Sequence, residues 1–572
     1  MATSQDAALG KIIAKWASPT NRFPTDTGSL GFMTFAPAFT FLVAVGVALF
    51  WSGMSRAKNA LTMTFACGVA FSIVAIQWVC FGFSLTFSES GNSFIGDFAH
   101  AGFANLGSWA LVSTAPAIPS ITFALYELVF AAVAPTFIFG AIAERFRLPP
   151  MMIFIVLYTT LVYDPLAHWL NGSQGWLKTF NGTGVIDFAG SSTVHIAAGM
   201  AGLAYALIIG KRKPHPDHAN GDYPMMPHHL VQVFLGFTLI FFGWFGFVGG
   251  RTHDASARAA EACALVAIAG SAGGLSWSLF DYVFSGQFSS LGYCSGSVAG
   301  LVAISAGAGN MSPWAGALTG ALAGVLVNMS CSVKNFGHGW VDDALDTWSI
   351  HFVGGVVGSL CTGLFADSWV VAMNTPSATL GGAISGRGAQ LGYQILKIIV
   401  TGAWSFIISY SILYILNKIP GCHLRATDKE EDEGMDASQM GELAYDLMPA
   451  DLKRLYEREL GVDEATAELL LSTGGVSRTL TGGGDSIVDI EMGPLQSNGY
   501  SSVPEYTTGA TETDTQKTAI PMGGDAITAA EDEKDDNVNL NGLSHGRAVV
   551  PLASSSAIPL LTQESDINDE EA

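Results

Sequence analysis

Two histidines stand in one repeated pattern, His-x-x-x-Gly-x-x-Gly: HIAAGMAG at 195–202 and HFVGGVVG at 351–358. Each lies in a long apolar run, where an ionisable side chain is costly and is a functional candidate by default. The chemistry open to a buried imidazole pair is narrow. A neutral imidazole has one donor and one acceptor, so two of them can share an N–H, offer a nitrogen to a small polar solute and relay a proton. Such a pair holds a second positive charge poorly. A bare cation in a narrow dry passage loses its hydration at great cost. A weak base that sheds its proton, crosses neutral and is reprotonated avoids that cost. The bland alternative, a histidine satisfied by a neighbouring carbonyl, competes well for one residue and poorly for two at matching places.

On a helix, His195, Gly199 and Gly202 share one face, as do His351, Gly355 and Gly358. Glycines on a membrane helix admit a second backbone, so both faces belong in tight packing. The rest of the chain agrees with a membrane setting. It has 572 residues, 49% hydrophobic and only 13% charged, and a mean hydropathy of +0.38, which suits a polytopic protein. Eleven apolar segments approach the ~20 residues a spanning helix needs: 32–54, 61–86, 121–143, 151–170, 190–210, 229–250, 258–282, 292–308, 314–333, 345–366 and 393–416. The histidines fall on the fifth and the tenth. Two five-helix halves of inverted topology give that placement, with the imidazoles meeting near the midplane. The fold expected is an all-α polytopic membrane protein with eleven transmembrane helices in inverted five-helix repeats.

Short-loop charges orient it. With the N-terminus outside, inner loops hold Arg56, Lys58, Arg145, Arg147, the Lys211-Arg212-Lys213 run, Lys334 and Lys418, against Lys178, Arg251, Arg258 and Arg387 outside; that excess predicts an outside N-terminus and a cytoplasmic tail. The formal charge of −22 belongs to the tail: residues 1–427 hold 18 Lys/Arg and 17 Asp/Glu, residues 428–572 hold 8 and 31. Four regions follow: an extracellular segment 1–30, a membrane domain 31–418, a cytoplasmic region 419–471 and an acidic disordered tail 472–572. An acidic tail argues against nucleic acid as a partner. Asn171 and Asn181 begin glycosylation sequons in an expected outer loop. All seven cysteines stand alone, without metal spacing. No nucleotide loop or nucleophile elbow is present, so neither an enzyme nor a cofactor is expected. Asp187 and Asp346, each ahead of a histidine, are read as helix caps, with Asp342 and Asp343 beside the second.

With these residues in view, DFAGSSTVHIAAGMAGLAYALIIGKR resembles the fifth-helix signature of the ammonium transporter (Amt/Mep/Rh) family. ALYELVFAAVAPTFIFGAIAERFR at 124–147, PHHLVQVFLGFTLIFFGWFGF at 227–247 and DDALDTWSIHFVGGVVGSLCTGLFAD at 342–367 resemble it too, in the family's order. MDASQMGELAYD at 435–446 is similar to the Amt/Mep regulatory motif, and the long acidic extension to fungal Mep proteins. The resemblance implies a plasma-membrane homotrimer with a pore in each subunit, ammonium or methylammonium as substrate, and a role in nitrogen uptake. It implies that His195 and His351 are the twin pore histidines, Phe130 and Phe247 the stacked gate, Tyr126 a vestibule aromatic and Asp187 the aspartate below the recruitment site.

Two positions depart from the family pattern. AHWLN puts Asn171 where a vestibule tryptophan is usual, unless Trp169 turns in to replace it. FVGGR puts Arg251 where the recruitment serine belongs, a fixed cation where a cation should bind, unless Asp254 or Glu127 pairs with it. Two functions are therefore expected to compete: a transporter, and a sensor or regulatory member that transports poorly or assembles with active relatives.

Overall fold

The computed structural model describes residues 26–107, 115, 117–213, 227–334, 341–374 and 381–445. The segments 1–25 and 446–572, and with them the expected disordered tail, lie outside the described residues. Among the described residues there are no β-strands, only two isolated bridges. Ten helices are long and apolar enough to cross a membrane: α1 Thr27–Met54, α2 Ala57–Phe87, α3 Ser120–Ile142, α4 Leu148–Asn171, α5 Ser191–Ile209, α6 Leu230–Thr252, α7 Ala257–Ser285, α9 Pro313–Ser332, α10 Trp348–Phe365 and α11 Ala389–Leu416. The eighth expected span is the shorter α8, Ser290–Ile304. Helices this apolar on every side are stable only where both protein and lipid are apolar neighbours.

Glycine sets how closely the halves meet. A Cβ on Gly46 of α1 would fall 2.6 Å from the Gly236 carbonyl of α6, and one on Gly236 would fall 2.6 Å from the Phe50 amide of α1. The last helices of the halves repeat this reciprocity. Gly199 of α5 abuts the backbone of Phe352, at 2.6 Å, and Gly355 of α10 abuts Ile196, at 2.8 Å. The neighbours they touch are the residues that follow His351 and His195, so the crossing brings the two histidine-bearing turns together. Those turns are not regular α-helix. Ser191–Ile196 and Trp348–Val353 are both π-helical, a local widening common at functional sites.

A carboxylate caps the helix ahead of each histidine. Asp187 accepts from the Ser192 amide at 3.1 Å and lies 3.6 Å from the buried Lys397 of α11. Ahead of α10 the capping carboxylate is Asp343, which accepts from Thr347 and Trp348 at 3.0 and 2.8 Å. Asp346, three residues further on, stands in left-handed backbone with φ +59°.

The opposite face is closed by ions and by the tail. Arg56 and Arg212 converge on Glu144 at 2.5 and 3.9 Å, and Arg212 also reaches Asp342 at 2.8 Å. Arg145, wholly buried, lies 3.7 Å from Asp342. The first turns of the 419–445 region form a short helix, α12 Asp428–Glu433, opened by a Thr427/Glu430 capping box. Its last carbonyls, Glu431 and Asp432, accept from Lys58 at 2.8 and 2.6 Å. Asp436 then caps α2, accepting from Leu61 and Thr62 amides at 2.9 and 2.7 Å. As far as it is described, to residue 445, the motif at 435–446 packs on α2 of its own chain through Asp436.

Candidate functional site

The site is a column of side chains contributed by α3, α5, α6 and α10. At its outer level Phe130 and Phe247 stack face to face, 4.3 Å between centroids and 4° between planes. Their burial is nearly complete, at 1% and 0% exposure. Tyr126, one turn above Phe130 on α3, donates its hydroxyl to the Phe247 carbonyl at 2.6 Å and so ties α3 to α6. Gly190 stands at φ +74° ahead of α5, and a Cβ there would lie 2.8 Å from the Phe130 ring. Only glycine satisfies both the turn and the gate.

Below the gate lie the histidines. Their ring centroids are 5.3 Å apart and their planes within 13°. Both are buried. The shared N–H expected between them is not formed. Nδ1 and Nε2 of His195 and Nδ1 of His351 have no hydrogen-bond partner among the described residues. Flanking aromatics fix the rings instead: Trp244 stacks on His195 at 5.4 Å, and Phe137 packs against His351 at 4.2 Å. Trp244 is itself held by Leu301 and Ser305, each at 3.1 Å. Buried polar atoms normally find a partner, so nitrogens left open among aromatic walls form a place for a small polar guest.

Above the gate the structure differs from a simple cation vestibule. The Arg251 guanidinium lies over the outer face of Phe130, 5.1 Å from its centroid. It takes the position a substrate cation would take on that ring. Glu127 of α3, 2% exposed, is its ion-pair partner, and the Phe188 carbonyl accepts from Nε at 3.0 Å. Asp254, the other carboxylate considered, binds Asn374 instead at 2.6 Å. His253 donates from Nε2 to Glu127 at 3.1 Å. Burial, with Arg251 and Lys178 nearby, holds this histidine below its usual range although Glu127 pulls the other way. Lys178 donates to the Asn171 carbonyl at 2.7 Å, and burial, then Arg251, bring its pKa down to about 8.

The remaining expected members fall unevenly. Asn171 is half-buried at the end of α4 and meets the entrance through its backbone, by way of Lys178. Trp169 does not replace the missing tryptophan. Its indole donates to the Phe94 carbonyl at 2.7 Å and its ring packs on Phe94, Trp176 and Trp404. Those partners line a separate apolar pocket toward α11. Asp187 acts as cap and partner of Lys397 rather than reaching the gate. Glu127, His253 and Lys178 join the entrance group without having been singled out as site residues. A carboxylate inside the apolar run of α3 was the available signal for the first.

A family model described as Ammonium Transporter Family matches residues 31–445. Ammonium transporter 1 of Schizosaccharomyces pombe is 40% identical over 422 residues, 73% of this chain and 82% of the relative. Ammonium transporter MEP2 of Saccharomyces cerevisiae is 38% identical over 427 residues, 74% and 84% respectively. The crystal structure of Saccharomyces cerevisiae Mep2 superposes with a TM-score of 0.68 at 37% identity, covering 74% of this chain and 92% of that one. A multi-pass helical protein with these similarities along its membrane part belongs to the ammonium transporter family.

Proposed function

We propose that the chain carries ammonium across the plasma membrane as a homotrimer, N-terminus outside and tail in the cytoplasm. Ammonium approaches beside Phe130 and loses its proton. Ammonia then passes the Phe130/Phe247 gate and the His195–His351 pair, and the proton crosses separately. The observation that carries this reading is the pair of imidazoles with unpartnered nitrogens directly behind a stacked aromatic gate. Neutral rings in an apolar column favour a neutral guest over a cation, for the reasons of solvation given above. Uptake of methylammonium in cells lacking their own carriers tests it. With the protein at the surface, uptake at background would reject transport.

A second reading has its own support. Arg251 already occupies the cation face of Phe130, which favours a sensor or a weakly transporting member that acts alone or beside active relatives. Arg251→Ser separates the two. If that variant transports no better than the natural chain, the altered entrance is not what sets activity.

A further inference from the structure

Four asparagines stand in the Asn-x-Ser/Thr pattern that the glycosylating transferase of the secretory membranes accepts: Asn171-Gly-Ser, Asn181-Gly-Thr, Asn310-Met-Ser and Asn328-Met-Ser. Their surroundings separate them. Asn328 lies inside the membrane helix α9, where its side-chain amide donates to Asp281 at 2.8 Å. Asn310 is 3% exposed. Its Oδ1 accepts from Arg258 at 2.7 Å, and a proline, Pro313, follows its serine. Asn171 is the last residue of α4 and is half-buried, with Gly172 after it buried. A Cβ on Gly172 would lie 2.7 Å from the His168 carbonyl, so this sequon is pressed against its own helix end.

Asn181 differs from all three. It is exposed, as is Gly182, and it stands midway between the last residue of α4, Asn171, and the first of α5, Ser191. It sits at the apex of a tight turn, Phe180–Gly182, with φ +50°, left-handed backbone that asparagine tolerates better than most residues. A Cβ added to Gly182 would meet nothing within 4 Å, so the turn faces open space. The turn is nonetheless held in place. The Thr183 and Gly184 amides both donate to the Phe180 carbonyl, at 3.2 and 2.8 Å. The Phe180 ring meets Tyr393 of α11 edge-on, 5.4 Å between centroids, and Asn181 Nδ2 donates to the Tyr393 hydroxyl at 2.6 Å. An amide nitrogen carries two hydrogens, and the bond to Tyr393 uses one.

We infer that Asn181 carries an N-linked glycan and that the other three sequons stay bare. The inference rests on the orientation that puts the N-terminus and this loop outside; it does not rest on transport. The donor is an oligosaccharide joined through a diphosphate to a polyprenol. The bond from the first sugar's anomeric carbon to the diphosphate oxygen breaks, and a bond from that carbon to Nδ2 forms. The displaced proton leaves with the diphosphate, and nothing is oxidised or reduced. Nδ2 keeps its second hydrogen, so the bond to Tyr393 survives the modification. A bulky, solubilising glycan belongs on a surface open to water. At Asn181 it has that surface. At Asn171 it would crowd the Lys178 contact at the pore entrance, and at Asn310 it would displace Arg258.

The test uses the full chain, epitope-tagged at its N-terminus and produced in animal cells. Membranes are immunoblotted with and without peptide-N-glycosidase F, and the treated asparagine is located by mass spectrometry. The digestion is run in heavy-oxygen water, which separates enzymatic release from the spontaneous deamidation of an Asn-Gly pair. Protection of the tag from protease in sealed microsomes reports its side of the membrane independently of any glycan. The natural chain should drop by a single mobility step on treatment, with heavy oxygen at position 181 alone. Asn181→Gln and Thr183→Ala should run at the treated position without treatment. Thr183→Ser, which keeps the sequon, and Asn171→Gln should still shift, which separates loss of the sequon from misfolding. No shift in a natural chain whose tag is protected overturns the glycan. A shift that Asn171→Gln abolishes, or heavy oxygen at another asparagine, overturns the assignment. A tag digested in sealed microsomes rejects the orientation and the glycan with it, while ammonium uptake still decides transport.

Discussion

Glu127 and Arg251 should shift substrate affinity in opposite directions when removed singly. The guanidinium stands 5.1 Å from the Phe130 centroid, so a substrate cation sharing that ring meets it at ~6 Å. With an effective dielectric near 20, a unit charge at ~6 Å contributes about 2–3 kcal/mol. Glu127, bound to the same guanidinium, contributes about the same with opposite sign, and the intact pair nearly cancels. Arg251→Ser leaves an attracting carboxylate and clears the ring. Glu127→Gln leaves an uncompensated cation on it. At 1.4 kcal/mol per factor of ten, each single change moves apparent affinity roughly 30- to 100-fold, tighter for the first and weaker for the second. The double variant should fall between them. The assay is saturation of methylammonium uptake in carrier-deficient cells, with surface protein quantified, because breaking a buried pair also costs stability. Both singles moving the same way, or neither moving, refutes the electrostatic reasoning.

Other consequences follow from single residues. Lys178 has its pKa brought down to about 8 by burial and by Arg251, so its positive charge fades as pH rises through that value. Methylammonium, an alkylammonium like lysine's, stays largely cationic to about pH 10. Its apparent affinity should tighten roughly fivefold from pH 7 to 9, and Lys178→Gln should flatten the profile at the tighter level. At Asp342 burial raises the carboxyl, but Arg145 and Arg212 outweigh it and hold the carboxyl below the usual carboxylate range. Its contribution to stability is therefore full above about pH 4 and is lost as pH falls toward the depressed value. Asp342→Asn leaves Arg145, 0% exposed, without its carboxylate and should cost about 3 kcal/mol, read as a lower midpoint in thermal unfolding of the purified protein. Asp436→Ala removes the cap that accepts from Leu61 and Thr62, worth about 1–2 kcal/mol. Hydrogen exchange in residues 428–440 should speed up, with the spans unchanged.

Much of the core of the site is legible from residue type and spacing. His195 and His351, with their glycines, announce a close crossing because only glycine admits the backbone of Phe352 or the side chain of Ile196 at that distance. Phe130 and Phe247 are less readable alone, since aromatics fill any core, and family resemblance singles them out. The π-helical turns under both histidines leave no signature in a pattern of apolar residues. They change which way a ring faces, so the shared N–H could not be judged beforehand. Trp169 and Asn171 show the same limit. Two residues apart on one helix end, Trp169 takes its direction from Phe94 and Trp404, which lie far along the chain, while Asn171 meets the entrance through its backbone.

The account's central claim is that ammonia passes beside the two imidazoles. The most direct measurement compares methylammonium uptake by surface-expressed Arg251→Ser with that by Arg251→Ser/His195→Ala. Saturable uptake in the first and its loss in the second is the result predicted. Equal uptake in both, or none in the first, contradicts it.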